Sequence, residues 1–339
     1  MSVSVIILNW NGEALLEKFL PSVIANTPTD LADIVVVDNG STDDSVNMLK
    51  EKFPSVKLII LDKNHGFAEG YNLALSQIES TYSVLLNSDV EVTSHWLDAP
   101  IQAMEADPNL AGVQPKILDY KDKRKYEYAG AAGGWIDRYG YPLCRGRILN
   151  VVEEDTGQYD SRTDIFWASG ACLFVRTDVF KKEGGLDARF FAHQEEIDLC
   201  WRLRSRGYRL ECIPQSVVYH VGGATLKVES PQKTFLNFRN NLLMVYKNLA
   251  ADKLQSVMFI RFLLDYLAMA KFMLTGNFQN AIAIVRARIA YRRLKRDYAP
   301  IRAVNLSKTV VFDIPEMLRQ SVILNFYFKG KTKFSAFFK

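Results

Sequence analysis

The sequence predicts an α/β fold, a mostly parallel, doubly wound sheet followed by a helical C-terminal extension. Three observations point there. Four apolar runs in the first ninety residues each end in polar residues, and strand-loop-helix units of this kind build parallel sheets through right-handed crossovers. Their polar ends would gather on the carboxyl edge of the sheet, where open α/β folds hold ligands. Beyond about residue 232 the pattern is helical throughout.

Residues 3 to 8 form the first run and stop at Asn9-Trp10-Asn11-Gly12. Leu15, Leu16, Phe19 and Val23 mark the helix that follows, which Pro21 should kink or shorten. The second run, Ile34 to Val37, ends in Asp38-Asn39-Gly40, with Ser41 or Thr42 placed to cap the next helix through Val46 and Leu49. The third, Lys57 to Leu61, ends in Asp62-Lys63-Asn64-His65-Gly66-Phe67 and leads into a helix with Tyr71, Asn72, Leu75 and Ile78. The fourth, residues 82 to 91, reads Tyr-Ser-Val-Leu-Leu-Asn-Ser-Asp-Val-Glu: a buried strand that delivers Asn87, Ser88 and Asp89 to the sheet edge.

Residues 119 to 165, rich in Tyr, Gly, Arg and Asp, read as a long excursion or flap. Order returns at Ser169-Gly170 and the strand Ala171 to Val175. Next come the helical block around Glu195-Glu196-Ile197-Asp198, two strand pieces at 208–213 and 216–220, and a loop signal at Gly222-Gly223. Phe235, Phe238, Leu242, Val245 and Leu249 then describe one buried helical stripe. Residues 257 to 274 are apolar except for Arg261, Asp265 and Lys271, which fall within an arc of roughly 120° and leave the remaining surface greasy. The segment is too short and too charged for a membrane span.

With 339 residues, 48% hydrophobic and 24% charged, the chain is globular and long enough for more than one unit. Its net charge of +4 hides an asymmetry: residues 252 to 339 hold 16 Lys and Arg against 5 Asp and Glu, and the rest 26 against 33. The basic tail favours an anionic partner, membrane lipid or nucleic acid. Aromatic residues interleaved with its charges suit a bilayer interface, and the same pattern fits a helical cap with a solvated basic face. Four scattered cysteines without a CxxC pair argue against a zinc site or a disulfide framework and fit a reducing cytosol. No basic leader precedes the first apolar run, so the sequons at Asn39 and Asn305 are read as chance.

Among candidate site residues, Asp89 is a strand-end carboxylate of the kind that holds Mg²⁺ or Mn²⁺ together with phosphate and water. Asp38 is placed to accept bonds from a base or ribose, although Asn-Gly-Ser-Thr is also a plain turn sequence. Glu195, Glu196 and Asp198 crowd three carboxylates together, which raises the proton affinity of at least one and suits a general base; a charged helix start gives the same pattern. His220 ends a Val-Val-Tyr run and is a candidate metal ligand or a structural histidine.

In order, Val-Ser-Val-Ile-Ile-Leu-Asn-Trp-Asn-Gly, Val-Val-Asp-Asn-Gly-Ser-Thr-Asp, Asn-His-Gly-Phe-Ala-Glu-Gly-Tyr-Asn, Leu-Leu-Asn-Ser-Asp-Val-Glu, Ser-Gly-Ala-Cys-Leu-Phe-Val and Glu-Glu-Ile-Asp-Leu-Cys-Trp-Arg resemble the family-2 glycosyltransferases of the rhamnosyltransferase-like branch. The resemblance covers residues 3 to about 223 and implies a GT-A nucleotide-binding domain over 1–225; the basic, greasy helical pattern of 226–339 is read as a membrane-associating region. The resemblance also implies an inverting transfer from a nucleotide-diphosphate sugar, dTDP-rhamnose or a UDP-hexose, to a hydroxyl of a glycan acceptor. In this branch the acceptor is often polyprenyl-linked and serves cell-surface polysaccharide synthesis. The implied location is cytoplasmic, peripheral on the inner face of the cell membrane.

Carried over by position, Asn9, Trp10 and Asn11 would line the nucleotide, Asp38 would contact base or ribose, and Asn64, Gly66, Phe67 and Asn72 would complete the pocket. Asn87-Ser88-Asp89 stands where the family has Asp-x-Asp, so Asp89 would hold the cation with His220 as a further ligand. Glu196 stands at the position of the family's usual base, here Glu instead of Asp, with Glu195 and Asp198 as alternatives.

Three rival readings remain. A sugar nucleotidyltransferase would need a Gly-rich, basic early loop that residues 8 to 14 lack. A catalytically impaired nucleotide-sugar-binding scaffold is compatible with the departures at Asn87 and Glu196. A nucleic-acid role would rest on the basic tail alone, with no accompanying nucleic-acid fold, and none is expected as a partner.

Overall fold

The structure, a computed structural model, describes residues 2–222 and 230–338. The expected division at 225–226 and Gly223 lie outside the described residues. In chain order the elements begin β1 (Val3–Asn9), α1 (Glu13–Asn26), β2 (Ala32–Asp38), α2 (Ser45–Lys52), β3 (Lys57–Ile60), α3 (Gly66–Ser76), β4 (Tyr82–Asn87), β5 (Val90–Val92), α4 (Asp98–Ala106) and β6 (Leu110–Asp119). Four short strands follow, β7 (Gly134–Asp137), β8 (Pro142–Cys144), β9 (Arg147–Ile148) and β10 (Val151–Val152). Then come β11 (Thr163–Asp164), β12 (Cys172–Arg176), α5 (Thr177–Lys182), α6 (Glu195–Ser205) and β13 (Arg209–His220). The chain closes with α7 (Pro231–Asn248), α8 (Ala251–Leu274), α9 (Phe278–Ser307), β14 (Met317–Leu318) and α10 (Val322–Lys329).

The main sheet runs β11-β13-β6-β12-β4-β1-β2-β3, with β5 paired to β13. The four expected strands form its parallel half, β4-β1-β2-β3. β12 enters antiparallel between β4 and β6. Both faces are covered: Ile6, Val35, Val37 and Leu85 belong to one apolar core, whereas Val5, Ile7, Val36 and Val84 belong to the other. This two-sided burial explains why the strands read as continuous apolar runs.

Several expectations need correction. Helix α1 runs through Pro21 to Asn26 without stopping. The residue at the start of α2 is Asp44, while Ser41 and Thr42 bond instead to Asp38, Asn9 and Asn11. The two strand pieces are one strand, β13, whose register breaks so that Ile213 faces Pro115 and Val217 faces Lys116.

Residues 119 to 165 are not a flap. Tyr126, Ile136, Leu143 and Ile148 are buried in the main core, and β7 to β10 form a small sheet that β14 completes from the far end of the chain. Its strands are two to four residues long, too short for the alternation that reveals a strand in sequence.

Helix α7 carries no single stripe. Every residue from Asn240 to Leu249 is buried, whereas Phe235 and Phe238 are half-exposed. The helix is enclosed by α6 and α9, and its polar residues are buried only because each finds a partner. In α8 two of the three arc charges face inward: Arg261 and Asp265 are fully buried, whereas Lys271 near the helix end is exposed, and Phe259, Leu263 and Leu267 stand in solvent. Leu242, Tyr298, Val322 and Phe334 join the same core as the sheet residues, so the C-terminal helices are packed into the fold.

Candidate active site

Three parallel strands end side by side. Register sets Asn9 of β1 beside Asp38 of β2 and Leu8 beside Asn87 of β4, so their polar ends share one edge. Asn9 Nδ2 donates to Asp38 Oδ2 at 3.2 Å and to Ser41 Oγ at 3.3 Å. Asp38 Oδ1 accepts from the Ser41 amide at 2.9 Å. Asn9 Oδ1 is buried without a hydrogen-bond partner. Asn11, at φ 51°, turns its side-chain carbonyl to the Thr42 amide at 2.7 Å, and Trp10 projects beside it with 45% of its surface exposed.

The loop before α3 flanks this edge. Asn64 Oδ1 accepts from the Gly66 amide at 2.8 Å and from Asn39 Nδ2 at 3.3 Å. Gly66 sits at φ 79°, and a Cβ there would lie 2.5 Å from the Phe191 ring, so this turn requires glycine. The Phe67 amide donates to Phe191 O at 2.7 Å, which ties this loop to the segment that carries the carboxylates. Asn72 is committed to the backbone of Leu186, at 2.8 and 2.9 Å, and braces that same segment.

At the other side, β13 pairs antiparallel with β5 and sets His220 opposite Val90, next to Asp89. His220 Nε2 lies 3.0 Å from Asp89 Oδ1, and its Nδ1 lies 3.4 Å from Glu127 Oε1. Asn87 Nδ2 comes within 3.3 Å of Nε2, and Ser88 is half-buried between them in sequence. Burial favours the neutral ring, but the carboxylates of Asp89 and Glu127 beside it outweigh that and raise the His220 pKa to about 10, although Nδ1 itself has no hydrogen-bond partner. Among the described residues no group of three or more His, Cys, Asp and Glu converges on a metal position. The Asp89 carboxylate has the donor chemistry for Mg²⁺ or Mn²⁺; His220 would join it only on giving up the proton that its raised pKa retains, and most of the coordination shell would be left to phosphate and water, as such ions prefer.

The carboxylate block opens α6. Its approach is strained: Phe191, His193 and Gln194 all have positive φ, at 66°, 70° and 75°. Glu195 and Glu196 each have a buried carboxylate oxygen without a hydrogen-bond partner. Burial raises the Glu196 pKa to about 7. Burial, with Glu196 and Asp198 adding repulsion, pushes Glu195 well above the usual range. Asp198 differs. It accepts from Lys247 Nζ at 2.8 Å, Asn248 Nδ2 at 2.8 Å and Arg202 Nε at 3.0 Å. Burial works against its charge, and Lys247 and Arg202 overcome that and hold its carboxyl low.

Helix α7 fixes the strained approach. Asn240 Nδ2 lies 2.8–2.9 Å from the carbonyls of Phe190, Ala192 and His193. Asn241 Nδ2 donates to Gln194 Oε1 at 2.9 Å and to Gly140 O at 2.7 Å. His193 is pushed down to about 4 by burial, with Lys233 adding to the effect, so its imidazole is neutral at pH 7.

Sequence reasoning did not find Glu127, Asn240 or Asn241. Glu127 lies inside the stretch read as a flap, and the two asparagines occupy a helix read only for its apolar stripe. The adjacent pair Asn240-Asn241 within a buried helix was the available signal, because buried amides must be partnered.

The family model described as "Glycosyl transferase family 2" matches residues 4–183. Among curated proteins the chain is similar to the N-acetylglucosaminyl-diphospho-decaprenol L-rhamnosyltransferase of Mycobacterium tuberculosis, 26% identical over 232 residues, covering 64% of this chain and 75% of that protein. It is also similar to the low-salt glycan biosynthesis hexosyltransferase of Haloferax volcanii, 23% identical over 247 residues, covering 71% and 74%. Among solved structures it resembles S. aureus TarS in complex with UDP-GlcNAc, with a TM-score of 0.53 and 16% identity over 91% of this chain and 89% of that one. The mannosyltransferase of Pyrobaculum calidifontis in complex with GDP-Man and Mn²⁺ gives a TM-score of 0.51 at 16% identity, covering 90% and 85%. These structural likenesses are of fold and identify it as GT-A. With more than half its length matched by one family model, the chain belongs to glycosyl transferase family 2.

Proposed function

We propose that the protein is an inverting glycosyltransferase that moves a sugar from a nucleotide-diphosphate donor, dTDP-rhamnose or a UDP-hexose, to a hydroxyl of a lipid-linked glycan in cell-surface polysaccharide synthesis. The observation that carries it is the gathering on one sheet edge of the Asn9–Asp38 and Asp89–His220 pairs, with a partly buried glutamate at the start of α6 whose pKa is raised to about 7. Support for the acceptor class comes from the name of the mycobacterial relative, which acts on a decaprenyl-linked sugar.

In this reading Asp38 and the Asn9 amide hold base or ribose, and Trp10, exposed at the rim, stacks on the base. Asn11, Asn64, Gly66 and Phe67 shape the walls. Asn87 and Ser88 bond the ribose or diphosphate. A divalent cation, Mg²⁺ or Mn²⁺, on Asp89 and His220 would neutralise charge on the leaving diphosphate.

Glu196 accepts the proton of the acceptor hydroxyl. The oxygen then forms a bond to the anomeric carbon from the face opposite the donor, the bond from that carbon to the diphosphate oxygen breaks, and nucleoside diphosphate leaves with the electron pair. Glu195, whose proton affinity burial and neighbouring carboxylates raise, leaves the base role to Glu196, and Asp198 anchors α6 to α7. The basic helical region brings the enzyme to the inner face of the membrane, where such acceptors reside.

Release of nucleoside diphosphate, measured with wild type and Glu196→Gln over a panel of donors with Mn²⁺, tests the reading. Metal-dependent turnover in wild type and its loss in the variant are expected. Equal release by both would remove Glu196 as base, and donor binding without turnover in either would favour a nucleotide-sugar-binding scaffold.

A further inference from the structure

We infer that the outward face of α8, continued onto α9 and α10, docks this enzyme on an anionic bilayer surface with α8 lying in its plane. The inference rests on the glycosyltransferase reading only for its purpose, the delivery of a lipid-linked acceptor.

Helix α8 has inverted polarity. Arg261 and Asp265 are buried. Asp265 bonds Arg288 of α9 and Arg261, the latter at 3.4 Å, and Arg261 Nη1 also donates to Tyr139 O at 2.9 Å. A buried ion network of this kind fixes the orientation of the helix, because turning it outward would strand unpaired charges. The opposite face, Phe259, Phe262, Leu263, Leu267 and Leu274, is exposed and spans an arc of about 140°. Leu267 is 65% and Leu274 89% exposed. Contiguous exposed apolar surface of this kind marks an interaction site.

The surface extends beyond one helix. On α9, Phe278, Ile282, Val285 and Ile289 repeat at helical spacing on one face, and Arg292, Arg293 and Arg296 continue that face along the axis. Lys271 at the end of α8 donates to the Tyr327 hydroxyl at 3.2 Å, which brings the exposed Phe328 of α10 to the same side. Beside the arginines lies a depression of about 520 Å³ lined by Phe235, Ile289, Arg286 and Arg293 among others.

Charge decides the occupant. Residues 252 to 339 carry 16 basic against 5 acidic residues, so a second copy would bring two strongly positive faces together, whereas anionic headgroups complement them. No helix among the described residues is long and apolar enough to cross a membrane, which leaves the in-plane arrangement. The buried side of α8 reaches the site: Arg261 bonds Asn241, which bonds Gln194, the residue before Glu195.

Flotation of the full chain with vesicles tests the surface. Binding to equimolar phosphatidylglycerol and phosphatidylcholine, and little to phosphatidylcholine alone, is expected. Phe259→Glu/Leu263→Glu/Leu267→Glu should lower binding at least about tenfold, and Arg292→Glu/Arg293→Glu should do likewise. These side chains are exposed, so melting temperature and nucleoside-diphosphate binding should stay at wild-type values. Flotation of the variants like wild type, or no flotation of wild type, overturns the inference. So does a wild-type dimer that the glutamates dissociate, which would make the face an interface between copies. Donor binding without flotation sinks the docking face alone, and flotation without donor binding sinks the transferase reading alone.

Discussion

His220 bridges two carboxylates: its Nε2 lies 3.0 Å from Asp89 and its Nδ1 3.4 Å from Glu127. One partner sits on the strand-end motif and the other in the segment that forms the small sheet. A ring flanked by carboxylates on both sides has a defined orientation and keeps its proton, so a cation at Asp89 would have to displace that proton before the imidazole could act as a ligand.

Asp89→Ala is expected to abolish metal-dependent transfer, and Asn87→Ala to weaken donor binding with transfer retained. Titration calorimetry of Mn²⁺ and nucleoside diphosphate into each variant checks both. Glu127→Gln keeps shape and removes charge, so it should lower Mn²⁺ affinity or turnover by about 10–100-fold. Unchanged affinity would show that Glu127 does not orient His220.

Glu196 titrates near 7 because burial penalises its charge. As the proposed general base, Glu196 works deprotonated, so kcat/KM should rise with pH through about 7 and level off above it. Linkage runs the other way for stability. A carboxyl whose pKa is raised from 4.5 to about 7 in the folded protein stabilises it below pH 4.5, and that contribution is lost as pH rises through 7. Glu196→Gln should therefore raise the stability at pH 8 by about 3 kcal/mol relative to pH 4, read from denaturant unfolding at the two pH values.

Asn240→Ala would leave the carbonyls of Phe190, Ala192 and His193 without their side-chain donor. A cost of about 1–3 kcal/mol is expected. The strained approach to Glu196 would also loosen, so kcat should fall more than KM rises. A variant with unchanged kcat would mean that the loop holds its shape without α7.

In α8 the usual order of sensitivity is reversed. Asp265→Asn should cost about 3–5 kcal/mol, because Arg261 and Arg288 lose their buried counter-charge. Leu267→Ser, at an exposed position, should change stability by less than about 0.5 kcal/mol. Thermal or chemical unfolding of the two variants distinguishes this from an ordinary amphipathic helix.

The parallel half of the sheet was legible because apolar runs such as Val3 to Leu8 and Tyr82 to Leu86 are long, continuous and closed by polar residues. The gathering of the polar strand ends was legible for the same reason, since register brings Asn9, Asp38 and Asn87 to one edge. The small sheet was not, since strands of two or three residues carry no periodicity. The orientation of α8 was hidden too. Sequence showed its charged arc but not whether water or the protein faces it, and that depended on Asp265 meeting Arg288, a residue from another helix. Glu127 and Asn240 escaped notice because each acts on residues distant in the chain.

The register break in β13 acts as a phase adjuster. Pro214, Gln215 and Ser216 have no counterparts on β6, and the pairing that resumes at Val217 carries through to His220 opposite Asp119. Because side chains alternate between faces, the length of this extruded triplet determines which side of the sheet receives the imidazole. Insertion or deletion of one residue there would move His220 away from Asp89 while every strand could still pair. The chain thus holds its histidine in place by counting residues as well as by contact, and length variation at 214–216 would be more damaging to the site than most substitutions around it.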